Sequence, residues 1–136
     1  MSKMDQRMKE IFEKQEIIVI ATATKEGIPN VVPIGAKKII DDETILISDQ
    51  YFNKTLSNMQ KNPIVSITFW DKMEGYQIKG TVTIDTSGQI FEDTSKWIEE
   101  MAKEINVPIK SKGAVILKIT DIYTVTPGRN PGKKIA

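Results

Sequence analysis

Apolar residues recur along the chain in two rhythms, and the switches between them mark its elements. Met4, Met8, Ile11 and Phe12 fall at i, i+4, i+7 and i+8, one stripe of a first helix, with Ser2 and Asp5 as its capping box. Residues 17–24, IIVIATAT, are β-branched and begin apolar on both faces, which predicts a buried strand. Lys25-Glu26-Gly27 turns the chain into a second strand over 30–40, interrupted by Pro33 and Gly35. Asp41-Asp42-Glu43 turns it again into a third strand over 44–48. Connections this short predict an antiparallel meander.

A short helix is expected over 53–61, ended ahead of Pro63. A fourth strand over 64–70 and a fifth over 75–85 follow. The fifth alternates most cleanly, with Tyr76, Ile78, Val82 and Ile84 on one face and Gln77, Lys79, Thr81 and Thr83 on the other. Gly80 falls on its apolar face, where a backbone can approach closely. Asp93 or Thr94 is expected to cap a third helix running to Ile105, with Trp97, Ile98, Met101, Ala102 and Ile105 as its stripe. A last strand over 114–126 changes phase near Thr120-Asp121, the mark of a bulge. Six mainly antiparallel strands that must hide their edges predict a mainly β fold with peripheral helices, closed as a small barrel in one domain over residues 1–136.

Composition narrows the chemistry. The 136 residues carry 19 basic and 18 acidic side chains, a net charge of +1, so binding nucleic acid through bulk electrostatics is not expected. There is no Cys and no His, which removes thiolate nucleophiles, Ser-His-Asp chemistry and imidazole metal ligation. Catalysis is left to carboxylates, Lys, Tyr, Ser/Thr or a bound cofactor, and no metal site is expected. No run approaches the roughly 20 apolar residues that span a bilayer, and the charged N-terminus lacks a signal-peptide block. A chain without a membrane partner, working in the cytoplasm, is the expectation.

Two segments carry candidate chemistry. In residues 48–58, SDQYFNKTLSN, a strand end passes through a polar loop into a helix start. The first N–H groups of a helix lack internal partners and favour an anion, and Lys54 and Thr55 add an ammonium and a hydroxyl there. Such a start is either a phosphate cradle or a surface helix capped by Asn53 with Lys54 solvated. In residues 29–35, PNVVPIG, a Pro and a Gly weaken pairing. The segment is either an edge strand with a bulge or backbone that faces a planar ligand.

The two segments in this order, within ATATKEGIPNVVPIGAKKIIDDETILISDQYFNKTLSNMQKNPIVSITFWD followed by GYQIKGTVTI, resemble the FMN-binding split β-barrel family related to pyridoxamine 5′-phosphate oxidase. The small stand-alone FMN-binding proteins of that group are most similar. The resemblance covers about residues 17–84 and implies a six-stranded antiparallel split barrel that forms a homodimer with FMN at the interface. It places Lys54 and Thr55 on the flavin phosphate, Ser48 on the strand before them and Asp49 at the opening of the loop. Val31, Val32, Pro33 and Ile34 match the strand that lines the isoalloxazine, Asn58 matches a position reaching the phosphate or ribityl chain, and Gln77 one at the ring edge. Two departures stand out: Val32 takes the place of an Arg that touches the phosphate in the full oxidase, and the oxidase's Arg-x-His substrate motif is missing. Oxidation of pyridoxamine phosphate is therefore not expected.

The implied function is an FMN-dependent oxidoreductase that moves electrons from a reduced nicotinamide or another donor to a small acceptor. The alternatives are a non-enzymatic FMN carrier or electron-transfer module, a deazaflavin-dependent reductase, and an interaction domain with a vestigial barrel. No side chain is an evident general acid. Tyr51, Tyr76 and Lys79 are the candidates, each better read as a surface aromatic, core packing and a solvated strand position, respectively.

Overall fold

In a computed structural model describing residues 2–136, the rhythms become three helices and seven strands. They are α1 (Gln6–Lys14), β1 (Ile18–Ala23), β2 (Pro29–Ile34), β3 (Lys37–Asp41), β4 (Thr44–Asp49), α2 (Lys54–Lys61), β5 (Ile64–Asp71), β6 (Glu74–Asp85), α3 (Gln89–Ile105) and β7 (Gly113–Thr124). All strands join one antiparallel sheet in the order β2-β1-β5-β6-β7-β4-β3.

The count is seven rather than six because the expected strand over 30–40 breaks at Gly35-Ala36. Its first half pairs with β1 and its second with β4, so a two-residue link joins the two end strands of the sheet. That link forces the sheet to curl until its ends meet, and the seam between them makes the barrel a split one. Ser48 N–H donates to Ala36 O at 3.0 Å and holds the link against β4. Pro29 and Pro33, which cannot donate to a ladder, both lie on end strand β2.

The core fills the curl. Ile20, Ile45, Ile47, Phe69, Ile78, Leu117 and Ile122 are almost wholly removed from water. Helix α1 adds Met8, Ile11 and Phe12, and the Phe12 ring meets Phe69 edge-on at 5.3 Å and 85°. Asp5 alone caps this helix, its Oδ1 accepting Met8 N–H at 2.9 Å. The expected capping box with Ser2 does not form, because Ser2 Oγ donates instead to Thr120 O at 2.8 Å.

The bulge lies where the phase changed: Lys79 pairs with Asp121 and Gly80 with Ile119, leaving Thr120 as the extra residue. A Cβ on Gly80 would stand 2.4 Å from Lys118 O, so the close approach expected there is real. Helix α3 begins four residues earlier than Asp93, after Gly88 at φ 89°, and it packs on β7 with Thr94 and Ile98 buried. Ile105, expected on its buried stripe, is 53% exposed. The C-terminal tail returns along β7: Ile135 N–H donates to Ile122 O, and Ile122 N–H to Ala136 O, each at 2.8 Å.

Candidate functional site

A cleft of about 360 Å³ opens where β2, the Gly35-Ala36 link and the start of α2 converge. Strand alternation decides which β2 side chains reach inward. Asn30 and Val32 are half-buried and Ile34 is buried, while Val31 is 65% exposed on the opposite face. Pro33 also borders the cleft, and Val31 does not.

The turn that delivers α2 is built by a buried carboxylate. Asp49 is 1% exposed, and its Oδ1 accepts Phe52 N–H at 2.9 Å. Lys112 Nζ lies 3.7 Å from the same oxygen and donates to Phe52 O at 2.9 Å. Asp49 is thus consumed in shaping the loop. Ser48, lining the cleft from the end of β4, is tied to the neighbouring loop through Ser111 Oγ at 2.7 Å.

Helix α2 starts without a side-chain cap, because Asn53 makes no such hydrogen bond. Its first residues, which line the cleft, thus keep their N–H groups without the usual Ncap acceptor. Lys54 is exposed at the mouth and forms no ion pair among the described residues. Thr55 is buried, and its Oγ1 accepts Asn30 Nδ2 at 3.0 Å, which leaves the hydroxyl proton to donate elsewhere.

Asn58 lies one turn deeper and is 8% exposed. Its Nδ2 donates to Thr22 Oγ1 at 3.0 Å, so it fastens α2 to β1 behind the cleft. Gln77 is on β6, paired with Thr68 and Tyr123 on the outer face. Three strand spacings, about 14 Å, separate its row from Pro33.

The other ionisable candidates are dispersed. Tyr51 is at the cleft mouth and 77% exposed. Tyr76 packs 5.9 Å from Phe69 and donates its hydroxyl to Glu74 Oε2 at 2.7 Å. Burial and that carboxylate push its pKa up to about 12. Lys79 stands over the Tyr123 ring at 5.3 Å, away from the cleft. Among the described residues no group of three or more His, Cys, Asp or Glu could hold a metal ion, and no helix is long and apolar enough to cross a membrane.

Asn30 and Gln50 lie within the two segments that the sequence singles out, but it assigns neither a role. The period of two sets Asn30 on Val32's face of β2. Gln50 also lines the cleft, and its Oε1 is buried with no donor within reach. A lone Gln in a loop carries no signal of that kind before folding.

The pyridoxamine 5′-phosphate oxidase family profile matches residues 4–126, nearly the whole chain. The chain belongs to that family. Its sequence is 41% identical to an uncharacterized protein of Methanocaldococcus jannaschii over 137 residues, 98% of this chain and 89% of that one. Its fold is similar to HupZ of Group A Streptococcus, with TM-score 0.79 and 27% identity over 95% of this chain and 99% of that one. An FMN-binding protein of Syntrophomonas wolfei shares the fold at TM-score 0.72 and 19% identity, over 88% of this chain and 83% of that one. The split-barrel architecture is thus that of the family.

Proposed function

We propose that this chain is an FMN-binding flavoprotein that takes electrons from a reduced nicotinamide or another donor and passes them to a small acceptor. The observation that carries the reading is the uncapped start of α2, with the unpaired Lys54 ammonium and the Thr55 hydroxyl beside it. Such a start suits a phosphate monoester. The orphaned Gln50 Oε1 in the same wall suits a ligand that brings an N–H or O–H donor, as a flavin ring does.

Under this reading Lys54, Thr55 and the first N–H groups of α2 bind the phosphate. Val32, Pro33 and Ile34 give the ring an apolar wall that excludes water, and Ser48 borders it. Asp49 and Asn58 position the helix from behind. Among the described residues, the only ionisable side chains lining the cleft are Tyr51 and Lys54. The redox chemistry is therefore assigned to the flavin, which when bound supplies electron acceptance and release.

A homodimer belongs to the same proposal. The outer face of β2, β1 and β5 carries Val31, Ala21 and Ser66 in one cross-strand row, with Ile64 61% and Trp70 51% exposed nearby. Exposed apolar side chains grouped on one sheet face suit burial against a second copy. Gln77 lies outside this chain's own cleft.

Titration of the purified protein with FMN, read by quenching of flavin fluorescence, tests the reading. Saturable quenching with one FMN per chain supports it; no quenching overturns it. Competition with a deazaflavin coenzyme sets the coenzyme preference. Saturable turnover with NADH or NADPH separates an enzyme from a carrier.

A further inference from the structure

A second groove, about 840 Å³, opens beside the coenzyme cleft, between the C-terminal half of α3 and the loop of residues 106–112. Gln50 and Tyr51 line both cavities, so the two share one wall. The size falls within the range of small-molecule sites.

Its chemistry is lopsided. Ala102, Val107, Pro108 and Ile109 give it apolar lining. At the end of α3, Asn106, held in the left-handed region at φ 55°, and Val107 turn their N–H groups onto the carbonyls of Lys103 and Ala102 and satisfy those two acceptors. The basic residues around the groove are Lys103, Lys110 and Lys112, against the single acid Glu99. Lys112 is already engaged with Phe52 O and Asp49. Lys103 and Lys110 form no ion pair among the described residues. Lys103 is in the last turn of α3, where a cation suits the helix dipole in any case. Lys110 has no helix end to complement, so its charge at the rim of an apolar groove is the discriminating feature.

We propose that this groove binds an apolar carboxylate, held against these apolar side chains with its anionic group toward Lys110 and Lys103, beside the coenzyme. Its role as the substrate pocket of the flavin rests on the FMN reading above; its binding chemistry does not.

The test is titration with 2-naphthoate, followed by the probe's own fluorescence, on FMN-free and FMN-saturated protein. The expected result is saturable binding that falls about tenfold or more in Lys110→Glu and with the uncharged 2-naphthalenemethanol, as loss of one charged contact implies. Ala102→Phe, which crowds the apolar lining, should weaken it as much, while FMN affinity stays unchanged in both variants. No saturation by about 1 mM, equal affinity for the alcohol, or naphthoate affinity untouched by both substitutions overturns the proposal. Naphthoate binding that depends on Lys110 in a protein that ignores FMN would defeat the coenzyme reading and leave this one standing. FMN binding without naphthoate binding does the reverse.

Discussion

Asn30 Nδ2 donates to Thr55 Oγ1 at 3.0 Å, joining the end strand of the sheet to the first turn of α2. The same amide reaches Thr22 Oγ1 at 3.2 Å, and that oxygen also accepts Asn58 Nδ2 at 3.0 Å. Two asparagines and two threonines thus fix the distance between the β2 wall of the cleft and the start of α2. Substituting Thr55→Val should remove the acceptor and leave part of the Asn30 amide unpaired. Urea unfolding is expected to report a loss of about 1–3 kcal/mol, the cost of a stranded polar group, with a parallel loss of FMN affinity. Unchanged stability would show that water replaces the threonine at no cost.

Lys54→Ala removes the cleft's one cation. FMN binding should weaken by roughly 1.5–3 kcal/mol, the worth of a charged hydrogen bond, with little change in the unfolding midpoint because Lys54 is exposed. Fluorescence titration and thermal melting together check both halves of that expectation.

Gly80→Ala places a methyl group 2.4 Å from Lys118 O and 2.6 Å from Leu117 Cδ2. The first contact is backbone and cannot rotate away, so the β6–β7 ladder must shift. A loss of about 1–3 kcal/mol or more is expected in chemical denaturation, larger than at Gly113, where a Cβ would meet only ordinary contacts from 3.4 Å outward.

Tyr76 and Glu74 set opposite limbs of the pH dependence. The Tyr76 hydroxyl is raised to about 12 from an ordinary 10.0, first by burial and then by its bond to Glu74. The folded state therefore holds this proton more tightly than the unfolded chain, and the stability it contributes is lost as pH rises from about 10 to 12. Tyrosinate absorbance should show a late component near pH 12 that vanishes in Tyr76→Phe. Glu74 is shifted the other way, held below the ordinary carboxylate range first by hydrogen bonds from Arg7 and next by that from Tyr76. Its contribution is present above the unfolded carboxylate pKa and fades as pH falls through the depressed folded one. Arg7→Ala should flatten that acid limb in pH-dependent urea melts.

Val31→Glu places a charge on the exposed outer row of β2 without touching the core. If the proposed dimer forms, sedimentation of the unsubstituted protein should show a dimer and that of Val31→Glu a monomer. A protein already monomeric at micromolar concentration would remove the shared-interface part of the proposal.

The elements themselves were legible in the sequence wherever a periodic face met a packed core. The stripe of Met8, Ile11 and Phe12, the alternation of β6 and the bulge beside Thr120 all follow from side chains that must leave water together. Lys54 and Thr55 could be singled out because a helix start is local, and its need for an acceptor is written into backbone geometry. What local pattern could not decide was where the halves of one apolar run would go. Residues 30–40 read as a single strand, and only closure of the sheet split them between opposite ends. The partners of Asn30, Asn58 and Asp49, and the want of one for Gln50 Oε1, are likewise tertiary facts. A hydrogen-bonding group carries no mark in the sequence of the partner it will meet, and that choice is made only when distant segments are brought within 3 Å or so of one another.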